Sequence, residues 1–303
     1  MPRAAIDIGS NSLLLTVVDD AGAVLHDEAR VVGLGRGLGD RGLFAPERLR
    51  AAEAVLTEYV EVARRHGVAP DRIKAVATSA ARRAMNAGTW VSRVQRTLGL
   101  RVRVITGEEE ARLTWLGALR DLDLPDGPVL VVDIGGGSTE IVLGVGGRVV
   151  ERVSLEVGSV RLTEAFLGGA DVPHDAAALA RLRNHVDVEM QRLRMDPLPR
   201  MVIAVAGTVT TLATMTLGLT SYDHERVHGS RLTRADLASH IDRLLRVTPA
   251  ERRRLVPAGA DRADFLVAGA TILDRALEMS RRSHVVVSDR GLRFGLLAPP
   301  GSV

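Results

Sequence analysis

Short apolar runs and polar turns alternate along this chain, and the same arrangement occurs twice. Ala4 to Ile6 and Leu13 to Val18 flank the turn Asp7-Ile8-Gly9-Ser10-Asn11-Ser12. Val129 to Val132 and Ile141 to Val145 flank Asp133-Ile134-Gly135-Gly136-Gly137-Ser138-Thr139-Glu140 in the same manner. Apolar runs of this length, bounded by glycine, serine and asparagine, predict a strand, a tight turn and a returning strand. Further turns follow at Asp20-Ala21-Gly22 and Gly146-Gly147, each leading to a third strand-like stretch, over 23–34 and up to Val157.

The pattern then changes to a helical period. Leu49, Ala52, Leu56, Tyr59 and Val60 predict an amphipathic helix over 46–66. Ile73 to Ala77 reads as a strand entering Thr78-Ser79 and a helix that carries Arg82 and Arg83. Val102 to Ile105 reads as another, with Thr106 opening the next helix. The second half repeats this plan, with helices at 160–166 and 176–194 and a strand from Met201 to Ala206 that ends at Gly207-Thr208. Helices follow over 233–247 and 262–282, and a last strand from Val285 to Val287 ends at Ser288-Asp289-Arg290-Gly291. Leu122-Asp123-Leu124-Pro125-Asp126-Gly127 breaks the helical pattern, so two related α/β domains are expected, at 1–121 and 122–303. Gly33-Leu34-Gly35-Arg36-Gly37-Leu38-Gly39 lacks the strand–turn–helix context of a dinucleotide fingerprint and reads as a flexible loop.

Composition narrows the classes. With 303 residues and 46% hydrophobic content the chain can bury two cores. No apolar run is long enough for a transmembrane helix and the first strand begins at once, so no membrane partner and a cytoplasmic location are expected. Zero cysteines exclude disulfides, iron–sulfur clusters and thiol catalysis. The pI near 10 comes from arginine, since Lys74 is the only lysine, while the net charge is only +3. With 3% aromatics there is little for bases to stack on, and nucleic acid is not an expected partner.

The two turns carry the candidate chemistry. Glycines let a backbone approach a ligand, and successive amides there can cradle a phosphate. At the position equivalent to Leu14 the second turn has Glu140, which gives it two carboxylates, Asp133 and Glu140. Beside a phosphate these would repel the substrate unless a cation lay between them. Mg²⁺ fits because it keeps most of its waters and needs one or two carboxylates, with Mn²⁺ as the alternative. Thr106 and Glu109 have capping-box spacing, which leaves Glu110 at the edge of the stripe Ala111, Trp115, Ala118, Leu119 and Leu122. Glu110 could take a proton from an attacking water, or could simply be one of three acids decorating a helix start. Thr78-Ser79, Gly207-Thr208 and Ser288-Asp289 place small polar residues at helix starts, where they can bind anions or serve as ordinary caps. Arg82 could add a fork of donors to a phosphate. His224 and His228 have helical metal spacing but no companion ligand in sequence, so zinc is not expected.

Taken in order, Asp-Ile-Gly-Ser-Asn-Ser (7–12), Thr-Ser-Ala-x-Arg-x-Ala-x-Asn (78–86), Thr-Gly-Glu-Glu-Glu-Ala-Arg (106–112), Asp-Ile-Gly-Gly-Gly-Ser-Thr-Glu (133–140), Ala-Gly-Thr-Val-Thr-Thr-Leu-Ala (206–213), Val-His-Gly (227–229) and Ser-Asp-Arg-Gly-Leu-Arg-Phe-Gly-Leu-Leu (288–297) resemble the exopolyphosphatase/guanosine pentaphosphate phosphatase (Ppx/GppA) family. The resemblance covers almost the whole chain. It implies two RNase H-like domains of the actin/Hsp70/sugar-kinase superfamily, with an active-site cleft between them. It also implies Glu110 as catalytic base and Asp133 and Glu140 at Mg²⁺ and the attacked phosphate. Arg82, Asn11 and Ser12 are implied as phosphate contacts. The sequence departs from the family pattern at Arg290 and Phe294, where members commonly carry a bulky residue and a glutamate. Longer members add a C-terminal HD-type domain. The dipeptides His26-Asp27 and His174-Asp175 lack its context, so the short two-domain form is expected.

The resulting expectation is Mg²⁺-dependent hydrolysis of a terminal phosphoanhydride. Asn11, Ser12, Arg82, Gly135, Gly136, Gly137, Ser138, Thr139, Gly207 and Thr208 would hold phosphates, and Asp7 would join Asp133 and Glu140 at the metal. Inorganic polyphosphate is the first substrate and guanosine pentaphosphate the alternative. A small-molecule kinase and a non-catalytic polyphosphate or alarmone sensor are the readings of other classes. Apolar helices of the second half offer a surface for a homodimer, although the sequence does not fix the oligomeric state.

Overall fold

The computed structural model describes residues 1–168 and 175–298; His174 lies outside them. Contacts divide the chain into two compact units, Met1–Gly117 joined by the chain from Leu292, and Ala118–Gly291. The sequence reading placed all residues after 121 in one domain and did not contain this return to the first sheet.

The first unit holds strands β1 (Arg3–Ile8), β2 (Ser12–Val18), β3 (Val24–Val31), β4 (Lys74–Ala77) and β5 (Val102–Val104), in the order β3-β2-β1-β4-β5. β1 to β3 are antiparallel neighbours, whereas β4 and β5 run parallel to β1. Ala4, Ala5, Ile6 and Ile8 are all buried, as a central strand covered on both faces requires. The edge strand β3 instead carries His26, Asp27, Glu28 and Arg30, charges that discourage pairing with another chain. Helix Pro46–Arg65 starts with Pro46 and Glu47, ends with Arg64 and Arg65, and buries the predicted stripe. The Tyr59 hydroxyl donates to the Leu13 carbonyl at 2.9 Å.

The returning helix Leu292–Leu296 packs against the same sheet, where Leu292, Leu296 and Leu297 share a cluster with Ala5, Val18 and Val76. Lys74 Nζ donates to the Leu296 carbonyl at 2.6 Å and Arg3 to the Leu297 carbonyl at 2.7 Å, so two cations serve the helix's negative end. A Cβ on Gly295 would lie 1.9 Å from the Leu113 carbonyl oxygen, so only glycine allows this approach.

The second unit repeats the plan with β6 (Pro128–Ile134), β7 (Thr139–Val145), β8 (Arg148–Leu155), β9 (Met201–Val205), β10 (Arg231–Thr233) and β11 (His284–Val287), in the order β10-β11-β9-β6-β7-β8. β10, which has one buried residue, Leu232, extends the repeat beyond the five-stranded plan. Helix Leu266–Met279 is buried along most of its length and lies in the main core with Val132, Ala204 and Val287. The expected helix over 262–282 therefore divides, its first part being 3₁₀ up to Phe265. Among the described residues, no helix is long and apolar enough to cross a membrane.

Candidate active site

In the second unit, Gly135 N donates to the Ser138 carbonyl at 3.0 Å and closes the turn between β6 and β7. The carbonyls of this turn point back into the protein. Ser159 N donates to Gly135 O, Val160 N and Arg161 N to Gly136 O, and Arg161 Nε to Gly137 O at 2.7 Å. In a trans peptide the N–H opposes the C=O, so the Gly136, Gly137 and Ser138 amides face the other way. None of the three donates to a described backbone carbonyl. Gly158 makes this possible, because a Cβ there would sit 2.5 Å from the Gly136 and Gly137 backbone. The Ser138 and Thr139 side chains are buried, and the Thr139 hydroxyl donates to Val157 O at 2.6 Å. Thr139 thus secures the strand, and what the turn can offer an anion is its amides.

The first turn is built alike. Gly9 N donates to Ser12 O at 3.0 Å, while Gly35 N donates to Ser10 O and both Val32 N and Gly33 N to Asn11 O. The Asn11 and Ser12 amides consequently point away from these donors. Asn11 Oδ1 is buried with no hydrogen-bond partner among the described residues. The glycine-rich stretch expected to be a flexible loop therefore supports the first turn, with Gly35 packed on Ser10. Its turn conformation and the short helix Leu38–Arg41 replace the expected loop.

Strand pairing separates the two copies. Asp7 stands opposite Leu14, whereas Asp133 stands opposite Glu140, which in turn is opposite Ser154. Glu140 is 1% exposed and accepts from Ser154 Oγ at 2.7 Å.

Beyond the ends of β4 and β5, which run parallel to β1, two further site residues meet. Arg82 Nη1 donates to Glu110 Oε2 at 2.6 Å and to the Ile105 carbonyl at 3.1 Å. Of the three successive acids only Glu110 is buried. Thr106 Oγ1 accepts from Glu109 N at 3.2 Å, but the Glu109 carboxylate pairs with Arg103 at 2.7 Å. The reciprocal half of the expected capping box is thus diverted by an arginine that a local motif does not reveal. Arg82, expected to reach a phosphate, holds the Glu110 carboxylate. Ser79 is buried and its hydroxyl has no partner among the described residues.

Beside Asp133, Ala206 turns β9 into helix Gly207–Thr216 at φ 78°, a strained conformation for a residue with a side chain. A Cβ on Gly207 would lie 2.5 Å from Arg262 Nε, so this guanidinium lies directly on the turn. Sequence reading missed Arg262, which sits in the 3₁₀ stretch without a periodic signal. Thr208 packs against Gly269 and is buried, so what this turn can offer an anion is the helix's first amides.

Asp289 gathers the paired histidines. It accepts from Tyr222 Oη at 2.7 Å, contacts His224 Nδ1, and lies 3.0 Å from His228 Nδ1. Burial pushes its pKa up, but bonds from His228, His224 and Tyr222 outweigh this and hold it well below the usual carboxylate range. The companion that the histidines lacked in sequence is thus a carboxylate that the Nδ1 atoms of both face, while His228 Nε2 is buried with no hydrogen-bond partner among the described residues. Among the described residues no three His, Cys, Asp or Glu side chains form a group able to hold a metal ion. The donor set that suits a cation is the opposed Asp133 and Glu140. Two hard oxygen ligands match Mg²⁺, whose remaining positions water and phosphate oxygens can fill.

The Ppx/GppA phosphatase family profile matches residues 15–299. Exopolyphosphatase 2 of Mycobacterium tuberculosis is 36% identical, covering 97% of this chain and 96% of its own length. Exopolyphosphatase 1 of Mycobacterium bovis is 30% identical over 98% of this chain and 87% of its own. The solved Ppx/GppA enzyme of Aquifex aeolicus is 36% identical with a TM-score of 0.81 and 98% coverage of both chains. The crystal structure of an exopolyphosphatase-like protein reaches a TM-score of 0.91 at 34% identity, with 98% coverage of both. Both units have a mixed sheet with helices, and the chain belongs to the Ppx/GppA phosphatase family.

Proposed function

We propose that this phosphatase removes the terminal phosphate of inorganic polyphosphate, releasing orthophosphate in a Mg²⁺-dependent reaction. The observation that carries the reading is the second turn, where three amides face away from the protein beside the opposed Asp133 and Glu140. Similarity to exopolyphosphatases supports polyphosphate as the substrate.

In this reading the Gly136, Gly137 and Ser138 amides and the first amides after Ala206 hold phosphate oxygens, joined by Arg262 and by Asn11 and Ser12 of the first turn. Asp133 and Glu140 would hold Mg²⁺, with Asp7 contributing through water. When bound, the cation neutralises charge on the phosphate oxygens, the dominant need in phosphoryl transfer. Glu110, held in one orientation by Arg82, accepts a proton from the attacking water. The water oxygen bonds to the terminal phosphorus as the bridging P–O bond breaks, and the chain leaves shortened by one phosphate. Protein positioning and charge supply most of the acceleration, with the base contributing roughly 10²- to 10⁴-fold.

The test is orthophosphate release from polyphosphate and from guanosine pentaphosphate, with Mg²⁺ and with a chelator. Faster release from polyphosphate, abolished by the chelator, is expected. Preference for the nucleotide, or release indifferent to the chelator, would overturn the corresponding half of the reading.

A further inference from the structure

Away from the phosphate-facing turns, the second unit has a cavity of about 360 Å³ at the starting ends of β9 and β11. Arg200, Arg231, Arg281, Arg282 and His284 line it, and no Asp or Glu does. Several other arginines of this unit are paired with acids: Arg234 with Asp274 and Glu278, Arg246 with Asp242, and Arg275 with Asp187 and Glu278. The four at the cavity make no ion pair with described residues, and Arg282 Nε is buried with no hydrogen-bond partner among them. Arg200, Arg231 and Arg281 stand exposed at its rim with Arg282 half-buried, and four permanent charges converging on one hollow that no acid lines suit an anion.

Arg281 adds a second, independent sign. It follows the end of helix Leu266–Met279 at φ 54°, with Arg281 N donating to Glu278 O and Arg282 N to Leu277 O. That is a Schellman ending, whose left-handed position ordinarily takes glycine. An arginine there accepts backbone strain of roughly 1 kcal/mol. A helix C-terminus attracts cations and accounts for Arg281 and Arg282 singly. It does not account for Arg200 before β9 or Arg231 on β10, which converge on the same hollow. His284 is kept towards its neutral form by burial, and then by Arg231 and Arg282.

We propose that this cavity binds an internal stretch of a polyphosphate chain, at a site separate from the one that hydrolyses its end. The inference rests on the reading of polyphosphate as substrate. Guanidinium forks match phosphate oxygens, and a row of phosphates satisfies several arginines at once. β9 rises about 3.3 Å per residue, so roughly 15 Å of strand separates this cavity from the Ala206–Thr208 turn. A long chain can occupy both places; tripolyphosphate is too short to do so.

The test measures binding by calorimetry to full-length protein carrying Glu110→Gln, with and without Arg231→Gln and Arg281→Gly. Arg281→Gly relieves the left-handed strain, so fold stability should hold or rise while binding weakens. Long-chain polyphosphate is expected to bind about tenfold more weakly to the arginine-substituted protein, with tripolyphosphate unchanged. In otherwise wild-type protein the same pair should raise KM for the long chain and leave kcat and turnover of tripolyphosphate unchanged. Arg231→Lys alone should retain most of the affinity. Unaltered binding of the long chain would overturn the proposal, as would equal weakening for tripolyphosphate. A loss confined to guanosine pentaphosphate would also overturn it, assigning the cavity to a nucleotide. Failure of wild-type protein to release phosphate from any polyphosphate would defeat the proposed function instead, a result separable from the binding measurement.

Discussion

Asp133 and Glu140 stand directly opposite each other across β6 and β7, where the matching pair in the first unit is Asp7 and Leu14. Like charges opposed across a ladder destabilise a sheet. Ionised together, the second pair would carry an electrostatic cost that the first avoids at the same register, and a bound cation would offset it. Glu140→Leu converts the second pair into the first. With Mg²⁺ present, the variant should lose phosphate release by roughly a hundredfold or more. Its melting temperature should no longer rise on adding Mg²⁺, whereas the wild-type value should. An equal Mg²⁺-induced rise in both proteins would remove Glu140 from the cation site.

The buried ion pair in the first unit makes a separate prediction. Removing one partner strands the other charge, so Arg82→Ala should cost roughly 3 kcal/mol in denaturant unfolding. Arg82→Ala combined with Glu110→Ala should cost less than the sum of the single changes. Additive costs would mean that the 2.6 Å contact carries little coupling.

Glycine substitutions probe the supports of the two turns. Gly158→Ala places a methyl 2.5 Å from the Gly136 and Gly137 backbone, so the turn has to move. The expected cost is about 1–3 kcal/mol together with a large loss of activity. Gly35→Ala meets Ser10 at 3.2 Å and should be the milder change in both measurements. The reverse order would contradict the carbonyl-clamp account.

The cluster around Asp289 predicts an acid limb of stability. A carboxylate whose folded pKa is depressed contributes stability above its unfolded pKa, about 3.9, and loses it as pH falls towards the folded value. Asp289→Asn should be less stable at pH 7 and should lose less stability than wild type between about pH 5 and pH 3. Parallel stability curves for the two proteins would show that Asp289 is not a net stabilising charge.

What the sequence made legible followed from local rules. The strand–turn–strand repeats, the helix from Pro46 and the acids at 133 and 140 were visible because spacing and glycine placement act over a few residues. Glu110 was distinguishable by its position in the helix, although its burial was not. The parts missed depend on distant partners. Arg103 diverts Glu109 from its cap, the glycine-rich stretch at 33–39 finds its purpose only against Ser10 and Asn11, and Arg262 reaches Gly207 from an aperiodic segment. Asp289 joins two histidines some sixty residues earlier in the chain, too far apart for spacing to reveal. The return of Leu292–Leu296 to the first sheet is settled by Gly295 lying against Leu113 and by Lys74, contacts that no local periodicity encodes.

Comparing wild type with Glu110→Gln tests the central claim most directly, by following single-turnover orthophosphate release from polyphosphate together with equilibrium binding of the same substrate. The isosteric change keeps the volume and an acceptor for Arg82 but removes the group that takes the proton. The account predicts a rate lower by roughly 10²- to 10⁴-fold with affinity nearly unchanged. A rate within a few-fold of wild type would contradict it, because the proton would then leave by another route.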